Sequence, residues 1–260
     1  MKELKFLLAV WKANLLSAME YRFAFLTQVV GMILNDFMYF VIWMIFFDRF
    51  KDVRGWGIGD MYVTYGILAS GFGLMSLLFG NTVYLADTIN KGRLDYYLSF
   101  PRPVLLHTIS SRLIASGMGD FTYGFISYAI SGSFTWDGLL RFVLAICLSC
   151  VVFTSFFILI QSLAFWFGMI SNLVGLAFNA LITFGIYPTT IFDTYAKLIL
   201  FTVIPAALVG AVPAEFVTQF TWIGLAKLFA GAIIFLFLSI TLFHAGLKRY
   251  ESGSAIQVEV

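Results

Sequence analysis

Charge is scarce in this sequence. Asp, Glu, Lys and Arg make up 12% of its 260 residues, against roughly 25% in a soluble domain. Histidine is scarcer still: His107 and His244 are the only two, and neither has a carboxylate at helical spacing that would mark a proton relay. The two cysteines, Cys147 and Cys150, spell C-L-S-C within an apolar run. With no second pair and no histidine nearby, they read as small buried residues rather than a metal or redox pair. No G-x-x-x-x-G-K-[ST] phosphate loop occurs, so ATP is not expected to bind here by that route. H-E-x-x-H and G-x-S-x-G are missing too, which leaves a hydrolase without its usual parts. A net charge of +2 is too small to indicate a nucleic-acid partner.

Apolar residues fill the space. They make up 61% of the chain, including 30 Phe, and the mean hydropathy is +0.93. A soluble core cannot hide so much apolar surface, so the expected solvent is a lipid bilayer. A span needs about 20 mostly apolar residues to cross a hydrocarbon layer of roughly 30 Å. Six segments meet or approach this: 23–47, 61–80, 113–131, 139–167, 170–187 and 223–245. The fifth is short. Residues 188–221 are apolar but interrupted by Pro188, Pro205 and Pro213. They read as a re-entrant or interfacial element, with a seventh span as the alternative. Non-helical backbone at membrane depth must be buried in protein or line water.

Residues 1–22 form a separate unit in this reading, and 23–260 a transmembrane domain. Leu4, Leu7, Leu8, Trp11 and Leu15 recur at helical spacing among lysines and glutamates, as in an amphipathic helix lying on a membrane surface. No short apolar core followed by a small-residue cleavage site is present, so a signal peptide is not expected. The chain has 16 Lys and Arg. With the N-terminus in the cytoplasm, ten fall on that side and five on the other, while Lys227 sits near a membrane boundary. That excess places both termini inside.

Polar side chains within spans are functional candidates because lipid penalises them. Asp36 lies near the middle of span one, and Gln28, Met32, Asn35 and Tyr39 share a helix face. In span three Ser116, Asp120, Gly124, Ser127 and Ser131 do the same. Asn172, Gly175, Asn179 and Thr183 repeat the pattern in span five. One reading is that such stripes only pack helices together. The sharper one is that Asp36, Asp120, Gln161, Asn172 and Asn179 border a substrate pathway.

The stretch INKGRLDYYLSFPRP, between spans two and three, is charged, aromatic and punctuated by proline. Residues 81–90 extend as a short helix, Gly92 suits a left-handed helix end, and Lys91 complements the helix dipole. Leu94 and Leu98 open a second apolar face, and Pro101 and Pro103 stop the helix and stiffen the chain. Without further information this is an amphipathic connector resting on headgroups. The pattern Asp87-x-x-x-x-Gly92-Arg93-Leu94-Asp95-x-x-Leu98-x-x-Pro101-x-Pro103, however, resembles the stretch between the second and third spans of ABC-2 type permeases. These are the membrane subunits of ATP-binding-cassette transporters. VIPAALVGAVPAEF resembles their proline-bearing re-entrant region. GLKRYESGSA, with Tyr250 and Ser252, resembles their basic tail.

The resemblance implies an all-α membrane protein with six spans, an N-terminal surface helix, a cytoplasmic coupling segment at 81–103 and a re-entrant region at 188–221. It implies a bacterial inner-membrane exporter with separate ABC ATPase subunits that bind ATP and Mg, and a second permease, identical or different. Asp87, Gly92, Arg93, Leu94, Asp95, Leu98, Pro101 and Pro103 would then carry the coupling, with Arg102 as a further charged contact. No cofactor and no catalytic role are expected in this chain. An ion-coupled secondary transporter using Asp36 and Asp120 is the competing reading, although such folds usually show paired broken helices and only one broken region is evident here.

Overall fold

Long apolar runs in lipid leave the backbone no hydrogen-bond partner but itself, and helices are the local solution. The computed structural model describes residues 2–251. Among the described residues there is no strand, only an isolated bridge between Val53 and Trp56. The helices are α1 (Lys2–Glu20), α2 (Arg22–Arg49), α3 (Ile58–Phe79), α4 (Leu85–Asn90), α5 (Leu94–Leu98), α6 (Val104–Ser110) and α7 (Gly117–Ile130). There follow α8 (Trp136–Ser162), α9 (Ala164–Phe167), α10 (Ser171–Gly185), α11 (Thr194–Thr202), α12 (Ala206–Val209), α13 (Ala211–Thr218) and α14 (Trp222–Leu247). The fold is all-α, as expected. Ser252, matched in the tail, lies outside the described residues.

Local chemistry sets several starts. Thr135 Oγ1 accepts from the Gly138 N–H at 2.9 Å, Thr221 Oγ1 from Gly224 at 3.0 Å and Asp193 Oδ1 from Ala196 at 2.7 Å. Each side chain satisfies one of the orphan donors of a helix N-terminus.

Four helical stretches are long and apolar enough to cross a membrane: α2, α3 with its continuation to Asn90, α8 with α9, and α14. They match spans one, two, four and six. Spans three and five correspond to shorter helices. α7 has 14 residues and α10 has 15, or about 21 and 22 Å at 1.5 Å per residue. The helical part of span three begins only at Gly117, after an irregular stretch beyond α6. α10 begins after Gly168, whose φ is +68°, and stops before Tyr187-Pro188. The broken region is a pair of helical pieces bent by 69°, with Pro205 at the break. Residues 205–214 are buried throughout.

α3 and α8 form the centre. Their apolar windows are 72% and 67% buried, whereas those of α2 and α14 are only 11% and 22% buried. α7 lies along α3, α14 along α8, and α13 touches both central helices. At the α3–α7 crossing, a Cβ on Gly73 would come within 2.6 Å of the Gly117 carbonyl oxygen, so only glycine permits this approach. Ser70 Oγ donates to the Phe121 carbonyl at 3.0 Å and Ser127 Oγ to that of Tyr62 at 2.7 Å. Cys147 is exposed, Cys150 is buried, and both thiols are free. The described residues hold no group of ligands suited to a metal ion.

Candidate coupling surface and membrane cavity

α4 ends as the sequence predicts. Gly92 has φ +66°, its N–H donates to the Ile89 carbonyl at 3.1 Å, and the Arg93 N–H donates to that of Thr88 at 3.0 Å. This pair of bonds is a Schellman closure. It reverses the chain within three residues and points α5 back across the same surface. Leu94 is fully buried in a small core with Leu85, Ile89, Ile109, Ile158 and Phe243. That core joins the 81–110 segment to the ends of α8 and α14.

A polar clamp reinforces it. The side chain of Gln161, in the last turn of α8, accepts from the Ala86 N–H at 2.9 Å and donates to the Val83 carbonyl at 2.6 Å. Gln161 therefore caps α4 from a neighbouring helix, and the structure puts it beside the coupling segment. Asp95 is half-buried near Tyr250, and neither its Oδ1 nor the Tyr250 hydroxyl has a hydrogen-bond partner. Burial, together with the Asp95 carboxylate, pushes the Tyr250 hydroxyl up to about 12.

α1 completes the assembly. Trp11 Nε1 donates to the Leu78 carbonyl at 2.8 Å and Asn14 Nδ2 to that of Ser110 at 3.0 Å. Arg102 pairs with Glu3 at 2.8 Å and lies over the Phe6 ring. His107 packs against Phe6, Tyr97 and Phe100. Burial, and then the Arg102 charge, lower its pKa. The half-buried stripe of α1 is Phe6, Leu7, Val10, Trp11 and Leu15, while Leu4 and Leu8 point away from the protein.

What stays outside is a compact patch. Tyr96 is 61% exposed, Leu98 43% and Phe100 39%. Asp87, Lys91 and Arg93 flank them with side chains about half exposed or more, Asp87 pairing with Lys91 at 2.8 Å. An aromatic and aliphatic centre with a charged rim is the usual anatomy of a protein-docking surface. Leu98 belongs to this outer face, and Pro101 and Pro103 carry the chain from it into α6. Of the charged residues expected on the surface, Asp87 and Arg93 are there, while Asp95 and Arg102 are turned inward to Tyr250 and Glu3.

The polar stripes separate by role. On α2, Met32, Asn35, Asp36 and Tyr39 line one cavity of ≈360 Å³, joined by Asp120 from α7 and by Asn179 and Thr183 from α10. Asp36 and Asp120 are 5% and 3% exposed, and both belong to the lining of this cavity. Gly124, Ser127 and Ser131 of the α7 stripe pack against α3. Asn172 is exposed and is not among the cavity-lining residues. A second cavity of ≈380 Å³ shares Tyr39, Tyr65, Thr183 and Ile186 with the first, and adds Trp43, Phe46 and Tyr187. These aromatics escaped the sequence reading because 18% of the chain is aromatic, so no single ring stands out.

A family model described as ABC-2 family transporter protein matches residues 33–254. The chain belongs to the ABC-2 transporter family. The matched region contains most of α2, all of α3, α7 and α10, residues 81–103 and the broken region, and leaves α1 outside. No match was found among curated proteins or among solved structures. As an ABC-2 permease the chain is a multi-pass membrane subunit of an ABC transporter, and membership implies an ABC ATPase as its partner.

Proposed function

We propose that this permease is the membrane half of an exporter in which the surface around Asp87–Arg93 and Tyr96–Phe100 seats a separate ATPase. ATP and Mg bind in that partner, consistent with the missing phosphate loop. The observation that carries the proposal is the exposed, charge-rimmed patch on a segment that is itself locked into the bundle. A docking lever must present a binding face and must not yield when it is pushed. Leu94, buried in the core shared with α8 and α14, and the Gln161 clamp support the second requirement.

The mechanism is a population shift. Closure of the ATPase pair moves the patch, and the core shared with α8 and α14 passes that displacement into the bundle. A ligand-driven state change needs contacts that differ between states, and hinge or shear motions of packed helices are the usual form. Family membership favours this over the ion-coupled reading. In the proposed arrangement both termini are cytoplasmic, in a bacterial inner membrane. α7 and α10 complete six spans with the residues flanking them, and residues 188–221 re-enter. The exposed face of α1, with Leu4 and Leu8, lies on the bilayer. A second permease, identical or different, faces the cavity side, where Asp36, Asp120 and Asn179 line the pathway.

Complexes reconstituted with the ATPase test this. Arg93→Glu and Gly92→Trp are each expected to lose most transport-coupled ATP hydrolysis while the chain still inserts. The first reverses an exposed charge, and the second puts a bulky side chain at a positive φ. Normal coupled hydrolysis in both variants would overturn the proposal.

A further inference from the structure

The two adjoining cavities differ sharply in chemistry. One end holds the Asp36 and Asp120 carboxyls with Asn35 and Asn179. The other is walled by Tyr39, Trp43, Phe46, Tyr65 and Tyr187. Each cavity alone is within the roughly 300–1,000 Å³ of small-molecule sites. Among the described residues no Lys or Arg lines either cavity, and none forms an ion pair with Asp36 or Asp120. Asp36 is 95% buried by its 5% exposure, and its Oδ2 has no hydrogen-bond partner. Buried carboxyl groups are normally answered by a cation or by donors, and here the protein supplies no cation.

We propose, resting on the transporter reading above, that this site takes a hydrophobic organic cation, with its charge at Asp36 and Asp120 and its apolar body against the aromatic wall. Ring faces attract cations, more strongly where water is excluded, so both ends of the site favour the same ligand class. An inorganic divalent ion fits less well. It would leave the aromatic wall unused, and the described residues offer no group of three or more His, Cys, Asp or Glu side chains to hold it. Neutral lipids would use the aromatic wall but leave the carboxyls unanswered.

Tetraphenylphosphonium and tetraphenylborate separate charge from shape, because they are nearly identical in size and apolar surface and opposite in sign. Equilibrium dialysis of the purified full-length permease in mild detergent is expected to show saturable phosphonium binding, at least roughly tenfold tighter than borate. Asp36→Asn and Asp120→Asn should each weaken phosphonium binding by a similar factor and leave borate unchanged. Trp43→Leu should weaken both probes. Equal affinity of the wild-type protein for the two ions, no saturable phosphonium binding, or unchanged phosphonium affinity in both Asn variants would overturn the inference. The wild-type comparison needs no variant to fold. An ATPase that couples through Arg93 while phosphonium fails to bind would overturn this inference alone. Selective phosphonium binding with coupling indifferent to Arg93 and Gly92 would instead overturn the coupling proposal.

Discussion

Gln161 shows how one residue can be visible in the sequence and still be assigned to the wrong neighbourhood. A polar side chain in an apolar helix flags a role, but its partners, Val83 and Ala86, are more than 70 positions away. The sequence contains no signal for that pairing, and Gln161 reads as a pathway residue. In the structure it fastens the coupling segment to α8. Gln161→Leu would leave a buried N–H and a buried carbonyl unsatisfied, a loss on the order of 2 kcal/mol. The expected outcome is a lower thermal midpoint of the solubilised chain and weaker coupled ATP hydrolysis, with phosphonium affinity unchanged. A variant that couples normally would remove Gln161 from the lever. Asp36 and Asp120 were legible because each is an ionisable side chain within an apolar span. Their mutual approach was not, since it depends on how α2 packs on α7.

At the level of elements, α3 and α7 show what periodicity gives and what it withholds. The small residues along α7 mark a close helix contact, and most of that stripe does serve packing. Which glycine matters is decided only by the partner helix. Gly73 has no space for a Cβ, whereas Gly31 has nothing within 4 Å. Gly73→Leu is therefore expected to separate α3 from α7 and destabilise the bundle by about 1–3 kcal/mol. Gly31→Leu should be neutral or slightly stabilising, because glycine is a poor helix former. Thermal unfolding of the two variants side by side checks this, and equal midpoints would contradict the assigned crossing. The four long spans followed directly from apolar run length. α7 and α10 came out shorter than a span because hydropathy does not sense the irregular entry to α7, the positive φ of Gly168 or the stop at Pro188.

Across the whole molecule, two regions of different character are joined by rigid helices. At one end α1, the 81–110 segment and the ends of α8 and α14 share contacts and a small core. Within the bundle, residues of α2, α3, α7 and α10 line the carboxyl-and-aromatic cavities. α3 belongs to the cavity walls and, through the turn at Gly80–Tyr84, leads into α4; in the proposed mechanism this is the route by which displacement of the patch reaches the cavity. The family was legible from the Asp87–Pro103 motif because its glycine, prolines and charges have fixed spacing. The exposed patch needed three dimensions, since Leu94 and Leu98 share a helix face in the sequence pattern, yet Leu94 is buried and Leu98 is 43% exposed. The most direct measurement is site-specific photo-crosslinking in membranes that contain the ATPase. A crosslinker replacing Tyr96 is expected to capture the ATPase chain, and one replacing the exposed Trp136, on the proposed outer side, to capture none. Failure at position 96, or equal capture from position 136, would contradict the coupling surface.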